Sequence, residues 1–211
     1  PTASTSRPWI VTLDNFLSHD EADALIQHGY QQGFQRSIDV EKQNVVDGRV
    51  YGQAATTRRT SETAWCTAKS GCRDETVPRR LHERISNLLE IPSENSEDFQ
   101  ILKYSVGQYY KTHHDFIPHQ RNRQCGPRIL TFFMYLSDVR GGGTRFPELN
   151  VTVQPKTGRA LIFGNVENLD PTVLHSQVRH EALPVEEGIK YAANAWYHLY
   201  DYQSAVRNGC N

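Results

Sequence analysis

The apolar positions at the start of the chain predict a strand that leads into a helix. The expected strand positions are Val11, Leu13 and Phe16. Ser18 and Glu21 follow as a capping-box pair, which is typical of a helix N-terminus. The next apolar residues recur at helical spacing, and they are Ala22, Leu25 and Ile26. The pattern therefore changes from strand to amphipathic helix at Ser18.

A second amphipathic helix is predicted within TVPRRLHERISNLLEI, residues 76–91. Its apolar positions Leu81, Ile85 and Leu88 again follow helical spacing. Between the two helices, residues 37–63 are polar and lack apolar periodicity. We therefore predict a long loop there, and loops of this length are usually functional or disordered.

From residue 98 onwards the chain consists of short β-rich runs. They are FQILKYSV, RILTFFMYLSDV, NVTVQP, RALIFGNV and AANAWYHLYDY. Turn signals such as GGG, KTG and EEG separate these runs, and no βαβ alternation is present. Helices followed by strands predict an α+β fold, mainly β, in which an antiparallel sandwich or barrel carries helices on one side. The 211 residues suit one domain with a sizeable core.

Composition argues against several kinds of partner. Hydrophobic residues make up 37% of the chain and charged residues 22%, as in ordinary globular proteins. The formal net charge of −1 argues against a nucleic-acid partner and against binding to a membrane surface. No apolar run approaches the roughly 18 residues of a membrane span.

The cysteines bear on the compartment. Cys66, Cys72, Cys125 and Cys210 allow three pairings, and Cys66 is close enough to Cys72 for a local bridge. Together with a glycosylation sequon at Asn150, they favour an oxidising compartment. We expect the secretory pathway and the lumen of the endoplasmic reticulum if the organism is eukaryotic, with the cytoplasm as the alternative.

The first chemical signal is the pair His113 and Asp115 in YYKTHHDF. In an extended segment, residues two apart point to the same side, so one imidazole and one carboxylate could meet a single ion. A third ligand would complete the arrangement of two histidines and one carboxylate used by non-haem Fe(II) oxygenases. His114 would point the other way. An HxD triplet is common, and a solvated loop is the alternative interpretation.

The third ligand must come from a distant strand, and the histidines available there are His175, His180 and His198. Lys190 lies ten residues beyond His180, and the turn at PVEEG could bring it back facing inwards. A buried lysine beside a metal needs an anionic partner, which a dicarboxylate cosubstrate would supply. Taken alone, Lys190 is more simply interpreted as a solvated strand residue.

At this point the chain resembles the 2-oxoglutarate- and Fe(II)-dependent prolyl 4-hydroxylases of the collagen, plant and algal type. The matching elements are LDNFLSHDEADALI, RTSETAW, QILKYSVGQYYKTHHDF, RILTFFMYLSDVRGGGTRFPEL, VQPKTGRALIF and HEALPVEEGIKYAANAWYH. They stand in the family's order and cover most of residues 10–200. The resemblance implies a double-stranded β-helix, or jelly roll, with N-terminal supporting helices. It implies a single catalytic domain over 1–211, with a helical support region and lid loop at about 10–95 and the jelly-roll core at about 98–203.

The resemblance also implies roles for individual residues. The iron ligands would be His113, Asp115 and His180, with His175 as the alternative to His180. Lys190 would bind the distal carboxylate of 2-oxoglutarate. Two hydroxyls would assist cosubstrate binding, those of Tyr104 and Thr144. Substrate contacts are expected at Tyr110, Arg128, Trp196, His198 and Glu97, for which core packing is the alternative, or surface exposure in the case of Glu97.

The implied reaction hydroxylates a peptidyl proline to 4-hydroxyproline, with Fe(II), 2-oxoglutarate, O2 and ascorbate as cofactors and succinate as a product. The partner would be a proline-containing peptide or protein, and a monomer is plausible. The alternatives are an oxygenase acting on lysine, free proline or a small metabolite, and a non-catalytic jelly-roll module that binds peptides. Lids are expected at residues 37–63 and 117–127. The second is basic, with Arg121 and Arg123 and with Arg128 directly after it, which permits a substrate that is acidic or less basic.

Overall fold

The computed structural model of the chain describes residues 7–37, 44–46, 49–51 and 58–209. Its helices are α1 (His19–Gln32), α2 (Thr76–Leu89) and α3 (Tyr202–Arg207). Its strands are β1 (Ile10–Leu13), β2 (Gln35–Arg36), β3 (Asn44–Val46), β4 (Arg49–Tyr51), β5 (Glu62–Cys66), β6 (Phe99–Tyr104), β7 (Tyr110–His113), β8 (Arg128–Tyr135), β9 (Arg140–Gly141), β10 (Thr144–Phe146), β11 (Val151–Val153), β12 (Ala160–Gly164), β13 (Val166–Glu167), β14 (Asp170–Leu174), β15 (His180–Ala182), β16 (Val185–Glu187) and β17 (Lys190–His198). In the described ranges, every helix is too short or too polar to cross a membrane.

Two antiparallel sheets build the body of the molecule. The major sheet has seven strands in the order β1-β12-β8-β17-β6-β5-β2. The minor sheet has four, in the order β11-β10-β15-β7. Strands β1, β2 and β5, which come from the N-terminal part of the chain, extend the major sheet on both sides. The predicted fold class, a mainly β jelly roll with supporting N-terminal helices, is confirmed.

Two hydrophobic cores lie on the two faces of the major sheet. The outer core packs α1 and α2 against the sheet through the fully buried Leu25, Leu81 and Ile85. Truncation of such a residue to alanine is expected to cost about 2–5 kcal/mol. The inner core lies between the two sheets, where the rings of Phe146 and Phe163 meet edge to face with centroids 5.1 Å apart.

Strand β17 shows how side-chain alternation separates the two cores. Ala193, Ala195 and Tyr197 belong to the outer core, whereas Ala192 belongs to the inner core. Successive residues of a strand point to opposite faces. The even-numbered positions from Lys190 to Trp196 therefore point into the space between the sheets, where the polar residues of this central strand are brought together.

The predicted capping box at the start of α1 is present. The backbone N–H of Glu21 donates to Ser18 Oγ at 3.1 Å, and the backbone N–H of Ser18 donates to Glu21 Oε2 at 3.0 Å. Such a cap contributes about 1 kcal/mol. Arg84 of α2 donates to the same Glu21 carboxylate and to the carbonyl of Phe16 at 2.8 Å. The cap therefore also fixes α1 against α2.

Three apolar positions depart from the prediction. Val11 is 41% exposed, because β1 is an edge strand that pairs only with β12. Phe16 lies beyond the end of β1 and packs on Phe132 with ring centroids 4.9 Å apart. Leu88 of α2 is 49% exposed. Helical spacing thus predicted the second helix but not the exposure of its last apolar position.

The prediction of a loop over residues 37–63 is wrong for part of that segment. Strands β3 and β4 pair as a hairpin, and β5 begins at Glu62. The sequence carries a hairpin signal that periodicity alone overlooks, since Asp47 and Gly48 separate two short β-prone runs. The remaining parts of this segment lie outside the described residues, and they are 38–43, 47–48 and 52–57.

One disulfide joins a strand to the start of a helix. Cys66, at the end of β5, is bonded to Cys72 shortly before α2, and both are buried. Cys125 is a free, buried cysteine. Cys210 lies outside the described residues. The local bridge that the sequence permitted is therefore present.

Candidate active site

A group of three possible metal ligands lies on the minor sheet. His113 is the last residue of β7 and stands directly opposite His180, the first residue of β15. Asp115 follows β7 by two residues. His113 Nε2 lies 3.6 Å from Asp115 Oδ1, and His180 Nε2 lies 3.7 Å from Asp115 Oδ2. The three ligand atoms fall within 4.8 Å of one another, and all three residues are buried. Antiparallel pairing thus brings together residues far apart in sequence.

Hydrogen bonds orient both imidazoles. His113 Nδ1 lies 2.9 Å from the carbonyl of Lys111, and His180 Nδ1 lies 3.1 Å from the carbonyl of Val178. A carbonyl only accepts, so each Nδ1 carries the proton and each Nε2 keeps its lone pair for a ligand. Burial, reinforced by the neighbouring His180, lowers the pKa of His113 well below its ordinary value. The neutral form that a metal requires is thereby favoured.

The carboxylate of the group is held by two donors. Thr131 Oγ1 donates to Asp115 Oδ2 at 2.8 Å, and Trp196 Nε1 donates to the same oxygen at 3.0 Å. Although burial opposes ionisation, His180 and His113, together with the Trp196 hydrogen bond, hold the pKa of Asp115 below its ordinary value. The group therefore offers two neutral imidazoles and one carboxylate, which matches the donor set of non-haem Fe(II) oxygenases.

His114 and His175 are directed away from this group. His114 Nε2 donates to the carbonyl of His175 at 2.9 Å, and His114 Nδ1 accepts from the backbone N–H of Phe116. His175 Nε2 lies 4.0 Å from a carboxylate oxygen of Glu167. Of the two histidines considered for the third position, the structure brings His180 and not His175 to His113.

Lys190 lies at one end of the site, behind the lining residues Tyr104 and Phe133, and it does not itself line the cavity described below. It is fully buried as the first residue of β17, opposite Tyr104 of β6. Its Nζ donates to the carbonyl of Gly142 at 2.6 Å. The centroids of three aromatic rings lie around it, those of Tyr104 at 5.2 Å, Phe133 at 5.4 Å and Tyr135 at 5.5 Å. Burial lowers the pKa of Lys190 to about 7. A cation in such a position requires an anion, and a dicarboxylate cosubstrate fits this requirement.

Thr144 lies beside this end of the site. It is buried, and its Oγ1 accepts a hydrogen bond from the Tyr135 hydroxyl at 2.7 Å. The Tyr135 hydroxyl also lies 3.2 Å from the carbonyl of Val153, so these three groups form one hydrogen-bonded set. Thr144, Tyr104 and Phe133 all line the cavity described next.

A cavity of about 1400 Å³ connects these features. The metal-ligand group and Trp196 line it. So does Tyr110, whose ring stacks on His113 with centroids 3.6 Å apart. The Arg59 guanidinium lies 4.8 Å from the centroid of the Tyr110 ring, and Arg59 also lines the cavity. The wall beside the metal ligands is therefore partly aromatic, and it also carries the buried cations Arg59 and Arg128.

Arg128, Glu97 and His198 form a separate buried cluster. Arg128 donates to Glu97 through Nε at 2.5 Å and Nη2 at 3.0 Å. His198 Nε2 lies 2.8 Å from Glu97 Oε1, and its Nδ1 lies 2.8 Å from the carbonyl of Gly126. Burial opposes both charges, yet Arg128 and His198 lower the pKa of Glu97 to about 2. Hydrogen bonds to Cys125, Glu97 and Gly126 likewise raise the pKa of His198 to about 9, although burial opposes this.

The prediction of substrate contact by Glu97 and His198 therefore requires correction. His198 is fully buried and Glu97 is 3% exposed, so Glu97 is not a surface carboxylate. Neither residue lines the cavity, because each satisfies the other's charge in the interior. Arg128 does line it, and its guanidinium lies 3.7 Å from the centroid of the Trp196 ring. Through Trp196 the cluster supports Asp115.

Sequence reasoning missed Thr131 as a partner of Asp115. A signal was available, because Thr131 alternates with Phe133 and Tyr135 on the inward face of β8 and is the polar member of that set. Its role also depends on Asn165, whose Nδ2 donates to Thr131 Oγ1 at 2.9 Å. This second partner is 34 residues away, so only the fold brings the two together.

Both predicted lids reach the cavity in their described parts. Residues 117–127 contain a short 3-10 helix, Pro118–Asn122, and this segment lines the cavity with Ile117, Pro118, His119 and Arg123. The segment 37–63 contributes Ser37, Arg59 and Thr63 to the lining. Residues 38–43, 47–48 and 52–57 of the first lid lie outside the described residues.

Comparisons with known proteins agree with this geometry. Residues 99–198 match the family model of the 2OG-Fe(II) oxygenase superfamily. Probable prolyl 4-hydroxylase 8 of Arabidopsis thaliana is 34% identical over 220 residues, which cover 92% of this chain and 70% of that protein. Prolyl 4-hydroxylase 5 of the same plant is 33% identical, with 93% and 70% covered.

A solved structure supports the same assignment. The viral collagen prolyl hydroxylase of Paramecium Bursaria Chlorella virus-1, in its 2OG complex, aligns with a TM-score of 0.70 and 25% identity. The alignment covers 94% of this chain and 99% of the viral chain. The matched part of the sequence contains all three residues of the metal-ligand group and Lys190. The chain belongs to the prolyl 4-hydroxylase family of the 2-oxoglutarate- and Fe(II)-dependent oxygenases.

Proposed function

We propose that this chain hydroxylates proline residues of a peptide at C4 while 2-oxoglutarate is converted to succinate and carbon dioxide. The observation that carries the proposal is the buried group of His113, Asp115 and His180, combined with a buried Lys190 in the same interior. A peptide-binding module without catalysis has no need for this pair of features. The relatives named above act on prolyl residues by name, and this supports the choice of substrate.

The metal would be held by Nε2 of His113, Nε2 of His180 and the Asp115 carboxylate. Bound together, Fe(II), 2-oxoglutarate and O2 supply an oxidant strong enough to replace a C–H bond of proline by C–OH. Three protein ligands on one face leave positions for the cosubstrate and O2. The hydrogen bonds from Thr131 and Trp196 keep the carboxylate ionised and fixed.

Lys190 would bind the distal carboxylate of 2-oxoglutarate. The aromatic rings around it exclude water, which strengthens an ion pair with an incoming anion. Tyr104 and Thr144 would add hydroxyl donors, and a carboxylate accepts several hydrogen bonds. Tyr135 would act indirectly, since its hydroxyl hydrogen-bonds to Thr144 and holds that side chain in place. These residues set the orientation of the cosubstrate.

The target proline would lie beside Tyr110 and Trp196. A proline-rich peptide in the polyproline II conformation has no internal hydrogen bonds and suits an aromatic-lined groove. Apolar walls also protect a reactive centre from water. Ascorbate is proposed as the reductant that restores oxidised iron, on the resemblance alone. An oxidising compartment is proposed as the location, with support from the Cys66–Cys72 bridge.

The test is turnover of the Fe(II)-loaded protein with a proline-rich peptide. We expect peptide-dependent decarboxylation of 2-oxoglutarate and the mass gain of one oxygen on a proline. His180→Ala and Lys190→Ala should lose this activity, and His175→Ala serves as the matched control. Oxygen found on lysine or free proline would refute the choice of substrate. Firm peptide binding with no decarboxylation would favour the non-catalytic module.

A further inference from the structure

The charges on the cavity wall bear on the substrate. The lining carries four arginines, Arg36, Arg59, Arg123 and Arg128, and among the described lining residues the only acid is Asp115 of the metal-ligand group. The whole chain has a formal net charge of −1, so this excess of positive charge is local to the cavity and does not follow from composition.

Two of these arginines already interact with neighbouring groups of the protein. Arg128 is neutralised by the buried Glu97 carboxylate. Arg59 is 6% exposed, lies over the Tyr110 ring, and donates to Ser61 Oγ at 3.0 Å and Gln100 Oε1 at 3.3 Å. Both lie deep, and their guanidinium groups are engaged with the wall.

Arg36 and Arg123 lie at the exposed rim. Arg36, on β2, donates through Nη1 to the carbonyl of Thr60 at 3.0 Å, a contact that orients the guanidinium without neutralising it. Arg123 follows the 3-10 helix of the segment after the metal ligands. Within the described part of the chain, no carboxylate forms an ion pair with either side chain. Exposed arginines with this freedom can bind a carboxylate with two parallel hydrogen bonds.

Arg123 and Arg128 both lie near His119 on the cavity wall. Burial first, and then the charges of Arg123 and Arg128, lower the pKa of His119, which lies on the same wall. A concave site lined by one sign of charge focuses its field and attracts ligands of the opposite sign. Geometry and field therefore agree at this end of the cavity.

We infer that the substrate peptide carries acidic side chains close to its target proline, and that Arg36 and Arg123 select for them at the rim of the cavity. The inference rests on the proposed function and names the class of peptide it acts on. Arg59 adds positive charge further in, next to the ring that would contact the proline. A basic or neutral proline-rich peptide would lack partners for the rim arginines.

The experiment compares three peptides that differ only on the two sides of one proline, which carry glutamate, glutamine or lysine. We expect kcat/KM to fall in that order, with about a tenfold advantage of glutamate over glutamine carried by KM. The advantage should shrink as ionic strength rises from 20 to 300 mM, about the range over which salt screens exposed charges. Equal values for the glutamate and glutamine peptides would overturn the inference.

Variants locate the effect. Arg36→Gln and Arg123→Gln should each reduce the ratio of the glutamate to the glutamine peptide, and Arg123→Glu should favour the lysine peptide. Arg79→Gln, on the exposed face of α2, is the matched control and should keep the ratio. Because the ratio is taken within one variant, a loss of folded protein cancels. An unchanged ratio in both rim variants would contradict the assignment. Failure to hydroxylate all three peptides would instead overturn the proposed function, and the inference with it.

Discussion

Replacement of Glu97 by glutamine should destabilise the protein strongly, because two buried cations share this carboxylate. Arg128 and His198 both hydrogen-bond to Glu97, and all three side chains are buried. Glutamine keeps the size of the side chain but removes the charge. Breaking a buried ion pair from one side typically costs about 3–5 kcal/mol.

The size of the effect can also be worked from His198. Its pKa is raised from 6.5 to about 9. At about 1.4 kcal/mol for each pKa unit, the interactions that raise it contribute roughly 3 kcal/mol to the free energy of unfolding. Much of this depends on Glu97, so the two estimates agree in order of magnitude.

The predicted difference in stability depends on pH in a defined direction. The contribution of His198 is fully present below pH 6.5 and is lost as the pH rises through about 9, because its pKa is raised in the folded state. The contribution of Glu97 is present above pH 4.5 and is lost as the pH falls through about 2, because its pKa is lowered. The difference between wild type and Glu97→Gln should therefore be largest between pH 4.5 and 6.5.

The assay is urea denaturation of both proteins at several pH values between 5 and 9. Lys190 titrates in this range too, but it is present in both proteins and cancels in the difference. Glu83→Gln, whose side chain is 55% exposed in an ion pair with Arg79, is the matched control and should change stability by less than about 1 kcal/mol. A difference below about 1 kcal/mol at pH 6, or one that stays constant up to pH 9, would refute the role assigned to the cluster.

Three further outcomes concern the site itself. Lys190→Met should keep the fold, since it removes a desolvated charge, and thermal unfolding checks this. The same change should raise the KM for 2-oxoglutarate about 100-fold, which a cosubstrate titration measures. Because burial lowers the pKa of Lys190 to about 7, 2-oxoglutarate should bind more weakly as the pH rises from 7 to 9, with proton uptake that calorimetry in two buffers detects. Binding of 2-oxoglutarate that does not depend on pH would contradict this expectation. Trp196→Phe removes the donor to Asp115 and should weaken metal affinity about 10–100-fold in a Co(II) titration, whereas unchanged affinity would assign Trp196 to packing alone.

Short-range patterns explain which parts of the site could be predicted. His113 and Asp115 are two residues apart, and Lys190 follows His180 by ten, so each of these two pairs needed only local spacing. The joining of the two pairs, and the choice of His180 over His175, came from the resemblance to the family. The same applies to the capping box at Ser18 and to the strands after residue 98. Where local sequence and tertiary structure agree, the prediction succeeded.

Long-range polar contacts explain the failures. Glu97 is 31 residues from Arg128 and 101 from His198, and nothing in the sequence near any of them signals an internal ion cluster. A glutamate read from sequence is most often on the surface. Trp196 lines the cavity, but its hydrogen bond to Asp115, which is 81 residues away, was not foreseen. Such partnerships depend on strand register, which periodicity does not specify.

Strand β17 fixes the distance between two side chains of the active site. Lys190 and Trp196 occupy the same face six residues apart, and a rise of about 3.3 Å per residue separates their backbones by about 20 Å. Deletion or insertion of one residue between them would preserve every functional side chain but turn one of the two away from the interior. A change of length is therefore expected to be tolerated less well in β17 than in the cavity-lining segment at 117–127, which is a loop with one short 3-10 helix.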